Sequence, residues 1–192
     1  VELLVTMVLM SFVGLIFGVT LNSMQRTVAV ADGRSQRNDA LRLAVGEIDR
    51  QIRSGNVFYD PKNETDPSND IVPNMSLRVY TQANAPSSNP GNRCVQWRIT
   101  AAKLQTRQWA PADFAGTVSP WRTVTADVTN RSAVPNIPAF TLDATPGYGS
   151  RLIKIRMVSD RIDDAGKQEE VTASVTGRNT QYGYPNNICD IP

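Results

Sequence analysis

An α+β fold, a long N-terminal helix followed by an antiparallel β-sheet head, is what three features of this sequence predict. An uncharged apolar run covers Leu3–Leu21, an apolar repeat of helical period follows it to about residue 54, and all twelve prolines lie at or beyond Pro61. Past that point short alternating segments are separated by clusters of Pro, Asn, Asp and Ser, the pattern of strands and turns. With 192 residues, 41% hydrophobic and 20% charged, the chain is too apolar for general disorder and too polar for a multi-span membrane protein. Its 20 basic and 18 acidic residues leave a net charge of only +2, which argues against a broadly basic surface and leaves nucleic acid open as a partner of a local patch. Histidine is absent, which removes Ser-His-Asp and Cys-His catalysis together with histidine metal ligands. No phosphate-binding glycine loop is present either, so neither an enzyme nor a cofactor site is expected, and no metal site.

From Leu3 to Leu21 the chain reads LLVTMVLMSFVGLIFGVTL, with Thr6, Ser11 and Thr20 as its polar residues. As a helix these 19 residues would be about 28 Å long, close to the ~30 Å hydrocarbon core of a bilayer. Residues 1–21 are therefore expected to span a membrane. A secretory signal would have a shorter apolar region, ~7–15 residues, behind basic residues, and a buried soluble helix rarely stays uncharged for so long. Glu2, at the start of the run, has two readings. At the interface it would simply favour the positive end of the helix dipole. Alternatively a cation on another chain neutralises it, since the next basic residue in this chain is Arg26. Gly14 and Gly18 have the GxxxG spacing, which either lets another helix backbone approach closely or weakens the helix locally, each glycine costing ~1 kcal/mol relative to alanine.

Residues 22–54 read as an amphipathic continuation of the same helix. Leu41, Val45, Ile48 and Ile52 recur on one face, with Met24, Val28 and Ala31 extending the stripe backward and arginines and acids opposite. Gly33 and Gly46 are weak points, and Gly55 is the expected C-terminal stop. One helix to about Ser54 would be ~80 Å long, far above the globular mean. The amphipathic half is expected to pack against the sheet of a head formed by residues 55–192. There, 60–74 and 83–92 read as loops, and the strand candidates are Ser76–Thr81, Cys94–Thr100, Trp121–Val128, Arg151–Val158 and Glu170–Thr176. Val95, Trp97 and Ile99 alternate with polar residues, as do Val171, Ala173 and Val175, and Asp163-Asp164-Ala165-Gly166 suits a hairpin turn.

The segment Val1-Glu2-Leu3-Leu4-Val5-Thr6-Met7, followed by an apolar stretch and a long amphipathic helix, resembles the mature N-terminus of type IV pilins and type II secretion pseudopilins. The resemblance covers about the first 53 residues, with an architectural echo beyond. It implies that Glu2 is the family's near-invariant glutamate, so that the chain would begin three residues after the prepilin peptidase cut. It further implies a homo-oligomeric helical filament, membrane residence before assembly, and dealings with the peptidase and the assembly machinery. Glu2 would pair with the N-terminal amine of a neighbouring subunit and set register, because an unpaired charge in a dry setting is penalised. In this family part of the helix is often unwound near a proline; here no proline precedes Pro61, and any unwinding is expected at Gly14–Gly18. Two other readings of the same features are a minor pilin or pseudopilin and a single-pass tethered binding module that never polymerises. Arginines following the apolar run would by themselves place that side in the cytoplasm; the resemblance implies that the head faces outward.

Export bears on the two cysteines, Cys94 and Cys189, which lie 95 positions apart without a CxxC spacing. Outside the cytoplasm a disulfide is expected, and inside it two buried thiols. Asp60, Glu64, Asp66 and Asp70, and likewise Asp160, Asp163 and Asp164, carry calcium-type oxygens but lack EF-hand spacing, so solvated turns are the expectation. Asn63, Asn74 and Asn130 head acceptor triplets for N-glycosylation, a short pattern that arises by chance, and Ser87 and Ser88 beside prolines have similarly weak claims as sugar carriers. Trp97, Trp109 and Trp121 offer a stacking platform for DNA or sugars together with 16 arginines, or else simply pack in the core.

Overall fold

A computed structural model of the chain describes residues 2–81, 91–111, 118–143, 145, 150–160, 168–178 and 187–190. Of the sequence readings, most of the 83–92 loop, Ser87, Ser88 and the 163–166 turn lie outside the described residues, as does the side chain of Asp160.

Helix α1 runs over Glu2–Arg53, and two antiparallel sheets follow. The first contains β1 (Gly55–Phe58), β2 (Ser76–Thr81), β3 (Arg93–Thr100), β4 (Lys103–Trp109) and β5 (Arg122–Ala126), in chain order. The second contains β6 (Phe140–Asp143), β7 (Leu152–Asp160) and β8 (Gln168–Thr176). The fold is α+β. It divides into two compact units, Val1–Asp39 and Ala40–Pro192, each described here by itself.

In the unit from Ala40 onward, the predicted helix stripe forms the core. Leu41, Val45, Ile48 and Ile52 are buried, joined by Ala44, in one cluster with Leu77, Val79, Val95, Trp97, Ile99 and Leu104 of the first sheet and Phe140, Ile153, Ile155 and Met157 of the second. Met24 and Val28, read as the backward extension of this stripe, are exposed instead. Gln51 is the one polar residue among these helix positions, and its Oε1 accepts a 2.7 Å hydrogen bond from the Trp97 indole. Its backbone carbonyl, one of the last in the helix and lacking an intrahelical partner, accepts from the Thr81 hydroxyl at 2.9 Å.

Gly55, the expected C-terminal stop, follows the last helical residue, Arg53, by two positions. It opens β1 with an ordinary φ, and glycine is needed there because a Cβ would lie 2.4 Å from the Phe58 ring and 2.8 Å from Val79. The 60–74 loop contains two 3₁₀ turns, Pro61–Asn63 and Pro67–Asn69, each begun by an Asp-Pro pair. Asp60 accepts from the Lys62 backbone N–H and Asp66 from that of Asn69, so these carboxylates serve as turn caps.

Strands β1, β4 and β6 were not among the sequence candidates. The β3–β4 hairpin turns through Ala101 and Ala102, both left-handed (φ 44° and 56°) and both exposed. Two positive φ values are what a tight hairpin needs, but the turn lacks the usual Asn-Gly signal. Alanine in this region costs roughly 1–2 kcal/mol per residue. Replacing Ala101-Ala102 with Asn-Gly is therefore expected to stabilise the head by about 1–2 kcal/mol, read as a higher urea midpoint at unchanged slope.

Candidate functional site

Two surfaces stand out, one in each unit. The first is the helix from Glu2 to Leu21. Its apolar side chains between Leu3 and Leu21 are 49–76% exposed, so none is consumed by packing within this chain. Among the described residues this is the one helix long and apolar enough to cross a membrane, with a mean hydropathy of 2.4 over its most apolar 18 residues. The polar side chains within the run are closed upon the helix itself. Thr6 Oγ1 donates to the Leu3 carbonyl, Ser11 Oγ to that of Met7 and Thr20 Oγ1 to that of Ile16, at 2.8–2.9 Å. An unsatisfied hydroxyl in hydrocarbon would be expensive, and here none remains.

Glu2 lies exposed in the first turn. Gly14 and Gly18 sit one turn apart in continuous helix, and a Cβ at either would meet nothing within 4 Å. No contact within this chain requires glycine at these positions. Leu4, Met7, Val8, Ser11, Phe12 and Leu15 line a shallow apolar groove along one helix face.

The second surface is the polar face of the first sheet. Cross-strand pairing sets Arg78 opposite Gln96, Gln96 opposite Arg107 and Arg98 opposite Gln105, so these side chains share the face opposite Leu77, Val95 and Trp97. The 60–74 loop and the C-terminal segment cover it. Arg78 is bonded to Glu64 at 2.7 Å, and Gln96 bridges this pair to Arg107, donating to Glu64 and accepting two bonds from the guanidinium. Glu64 is thus a buried structural partner rather than a calcium ligand. Among the described residues no cluster of acids has metal-site geometry.

The same face explains the disulfide. Cys94 and Cys189 are bonded, with Cα atoms 5.5 Å apart and both residues fully buried. The backbone of Cys189 is gripped from both sides, its N–H donating to the Tyr59 hydroxyl and its carbonyl accepting from Arg78. Arg78 also stacks on Tyr59 at 3.9 Å. The covalent bond therefore reinforces a docked segment.

Of the three tryptophans, Trp97 and Trp109 are core residues. Trp121 is half-buried, with the guanidiniums of Arg98 and Arg107 at 3.9 and 4.4 Å from its ring centre. The acceptor triplets fare differently. Asn130 is buried and spent on backbone bonds to Ile137, Arg156 and Val158, whereas Asn63 is exposed. Sequence reading missed the arginine face, because polar residues at alternate strand positions normally face water.

No model of a known protein family matches this chain, and no curated protein matches it.

Asp70 supplies a pH test of the loop that covers this face. Hydrogen bonds from Arg131, then from Thr100, hold its carboxyl down at about 2 against an ordinary 3.8. A depressed folded-state value means that the contribution is complete above pH ~4 and disappears as the pH falls through ~2. Urea unfolding between pH 5 and 2 is expected to show wild-type stability falling over that window, and Asp70→Asn to flatten that part of the curve.

Proposed function

We propose that this chain is a structural subunit of a type IV pilus or a related surface filament, acting by assembly rather than by catalysis. The observation that carries this reading is the uncharged run Leu3–Leu21, all of whose apolar side chains are exposed and whose hydroxyls are all satisfied internally. Such a segment is suited to lipid before assembly and to other apolar helices afterwards. Bilayer and fibre core are both dry, so the transfer gains little from hydrophobic burial. It is driven by close packing and by the relief of buried charge. Glu2 supplies the charge, and register is its main effect, since a misdocked neighbour leaves its carboxylate without a cation. Gly14 and Gly18 provide a flat strip against which a second helix can lie.

The buried disulfide supports an extracytoplasmic head, because such bonds persist in oxidising compartments. The head's own core is separate from residues 1–39, so the assembling segment can change its surroundings while the head stays folded.

Glu2→Ala is expected to leave the head folded and the protein in the membrane, with filament yield reduced at least about tenfold, measured by shearing cells and immunoblotting filament and membrane fractions. Normal filament yield from this variant would sink the role of Glu2. Electron cryo-microscopy of wild-type filaments tests the larger reading. A helical map that fits this side-chain order, with Leu3–Leu21 in the fibre core, is the expected result. Filaments built from another chain would demote this protein to a minor component, and a purely monomeric detergent extract from cells without filaments would leave a membrane tether.

A further inference from the structure

Strand β8 is the longest of the four that end a sheet, with nine residues against four, five and four in β1, β5 and β6. Among the described residues no backbone hydrogen bond reaches its outer side. Edge strands are usually kept from pairing by shortness, a proline, a bulge or a charge in mid-strand. Between Val171 and Thr176 β8 has none of these, and its ladder with β7 runs without a register shift.

Alternation fixes what this edge presents. At one end of the ladder the Gly177 N–H donates to the Arg151 carbonyl, while the Arg156 N–H points the other way across β7, to the carbonyl of Ala139. Odd-numbered residues of β7 and β8 therefore bond to each other, and the peptide groups of Glu170, Thr172, Ser174 and Thr176 face outward. These same four residues are exposed, as is Arg178 just past the strand. Their order makes the strand complementary to itself. When two copies run antiparallel with Ser174 opposite Ser174, Thr172 meets Thr176 and Glu170 meets Arg178, each contact occurring twice by symmetry. On the reverse face Ala173 meets Val175 and Val171 meets Gly177, small residues against branched ones. Moving the centre by a single residue in either direction takes Arg178 away from Glu170. Arg178 has no ion pair among the described residues. Glu170 is bonded to Arg156 at 2.9 Å, and a carboxylate has lone pairs for a second guanidinium.

We propose that β8 is a docking edge for a second copy of this chain, joined about a twofold axis at Ser174, so that the second sheets of two heads run on into one. Opposite charges at the two ends of the strand select this partner and this register. The joint is small, hence weak between single molecules. Subunits within one helical fibre are related by a screw and not by a twofold. The pairing therefore links separate fibres or separate membrane-held copies; the link between fibres rests on the filament reading, and the pairing of heads does not.

Cysteine cross-linking of the full chain in detergent micelles tests this. The native cysteines are bonded to each other and buried, so an introduced cysteine supplies the reactive thiol. Directly opposed residues that exchange backbone bonds have Cα atoms about 5.5 Å apart, within disulfide reach. Oxidised Ser174→Cys is expected to run as a disulfide-linked dimer on a non-reducing gel. Thr172→Cys and Thr176→Cys, each alone, should give about tenfold less dimer, and a mixture of these two chains should restore it. Arg178→Glu added to Ser174→Cys should cut the dimer yield about tenfold, and Glu170→Arg added to both should bring it back. All of these side chains are exposed, so the thermal midpoints should stay within a few degrees of wild type. Equal dimer from the three single cysteine variants, no dimer from Ser174→Cys, or a charge reversal without effect would each overturn the proposal, the second result leaving the edge to an unlike partner.

Discussion

The packing of Leu41–Ile52 against both sheets is the contact on which the rest of the head depends. Among the described residues no strand of one sheet pairs with a strand of the other, and an isolated bridge joins Val128, just past β5, to Ser159 of β7, so their shared core is assembled chiefly by side chains around the helix. Ile48 and Ile52 are fully buried there, and Gln51 ties the same turn to Trp97 and Thr81 through polar bonds that only one helix rotation satisfies. Apolar burial supplies most of the stabilisation, and these bonds select the rotation and the depth of the helix. The head therefore begins within the helix, at Ala40, well before the change in composition at Pro61.

The two faces of the first sheet divide the remaining work. One carries Leu77, Val95, Trp97 and Ile99 into the core. The other holds guanidiniums and amides, closed over by a loop whose Asp-Pro turns supply Glu64 and Asn69 and by a C-terminal segment gripped at Cys189. A face of this kind is not a source of large stability, since desolvation offsets much of the Coulomb attraction. Its value lies in position. Loop and tail meet on Arg78, through Glu64 and the Cys189 carbonyl, and Asn69 reaches Arg107, which leaves the covering segments few alternative placements.

How far these features were legible in the sequence follows from which physical signals are local. The helix was visible because an unbroken apolar run and a 3.6-residue stripe are both written in consecutive residues. The strands β2, β3, β7 and β8 were visible because apolar residues alternate along them. Strand β4 was hidden by its turn: Ala101 and Ala102 adopt left-handed backbone without the residues that usually advertise it. Strand β1 follows α1 after a single residue, and β6 is only four residues long, so neither had room for a pattern. The Cys94–Cys189 bond could be expected only through the compartment, whereas the partners of Arg78 and Arg107 depend on which loop folds over the sheet, a long-range matter. Gly55 was legible as the place where the helix stops, whereas the close approach of Phe58 to it, a long-range packing matter, was not.

The hydroxyls of Thr6, Ser11 and Thr20 have one further consequence. Because each returns its proton to its own helix, the segment Leu3–Leu21 presents neighbours with an outline and almost no chemistry. Bonds of this kind would be the same among lipid chains as among protein side chains, so any barrier to a change of surroundings would be one of shape and not of rewiring. The same indifference removes any polar code by which one such helix could distinguish its neighbours along the run. Recognition is then left to the ends of the segment and to contour, where two glycines form a notch and the residues around them a ridge.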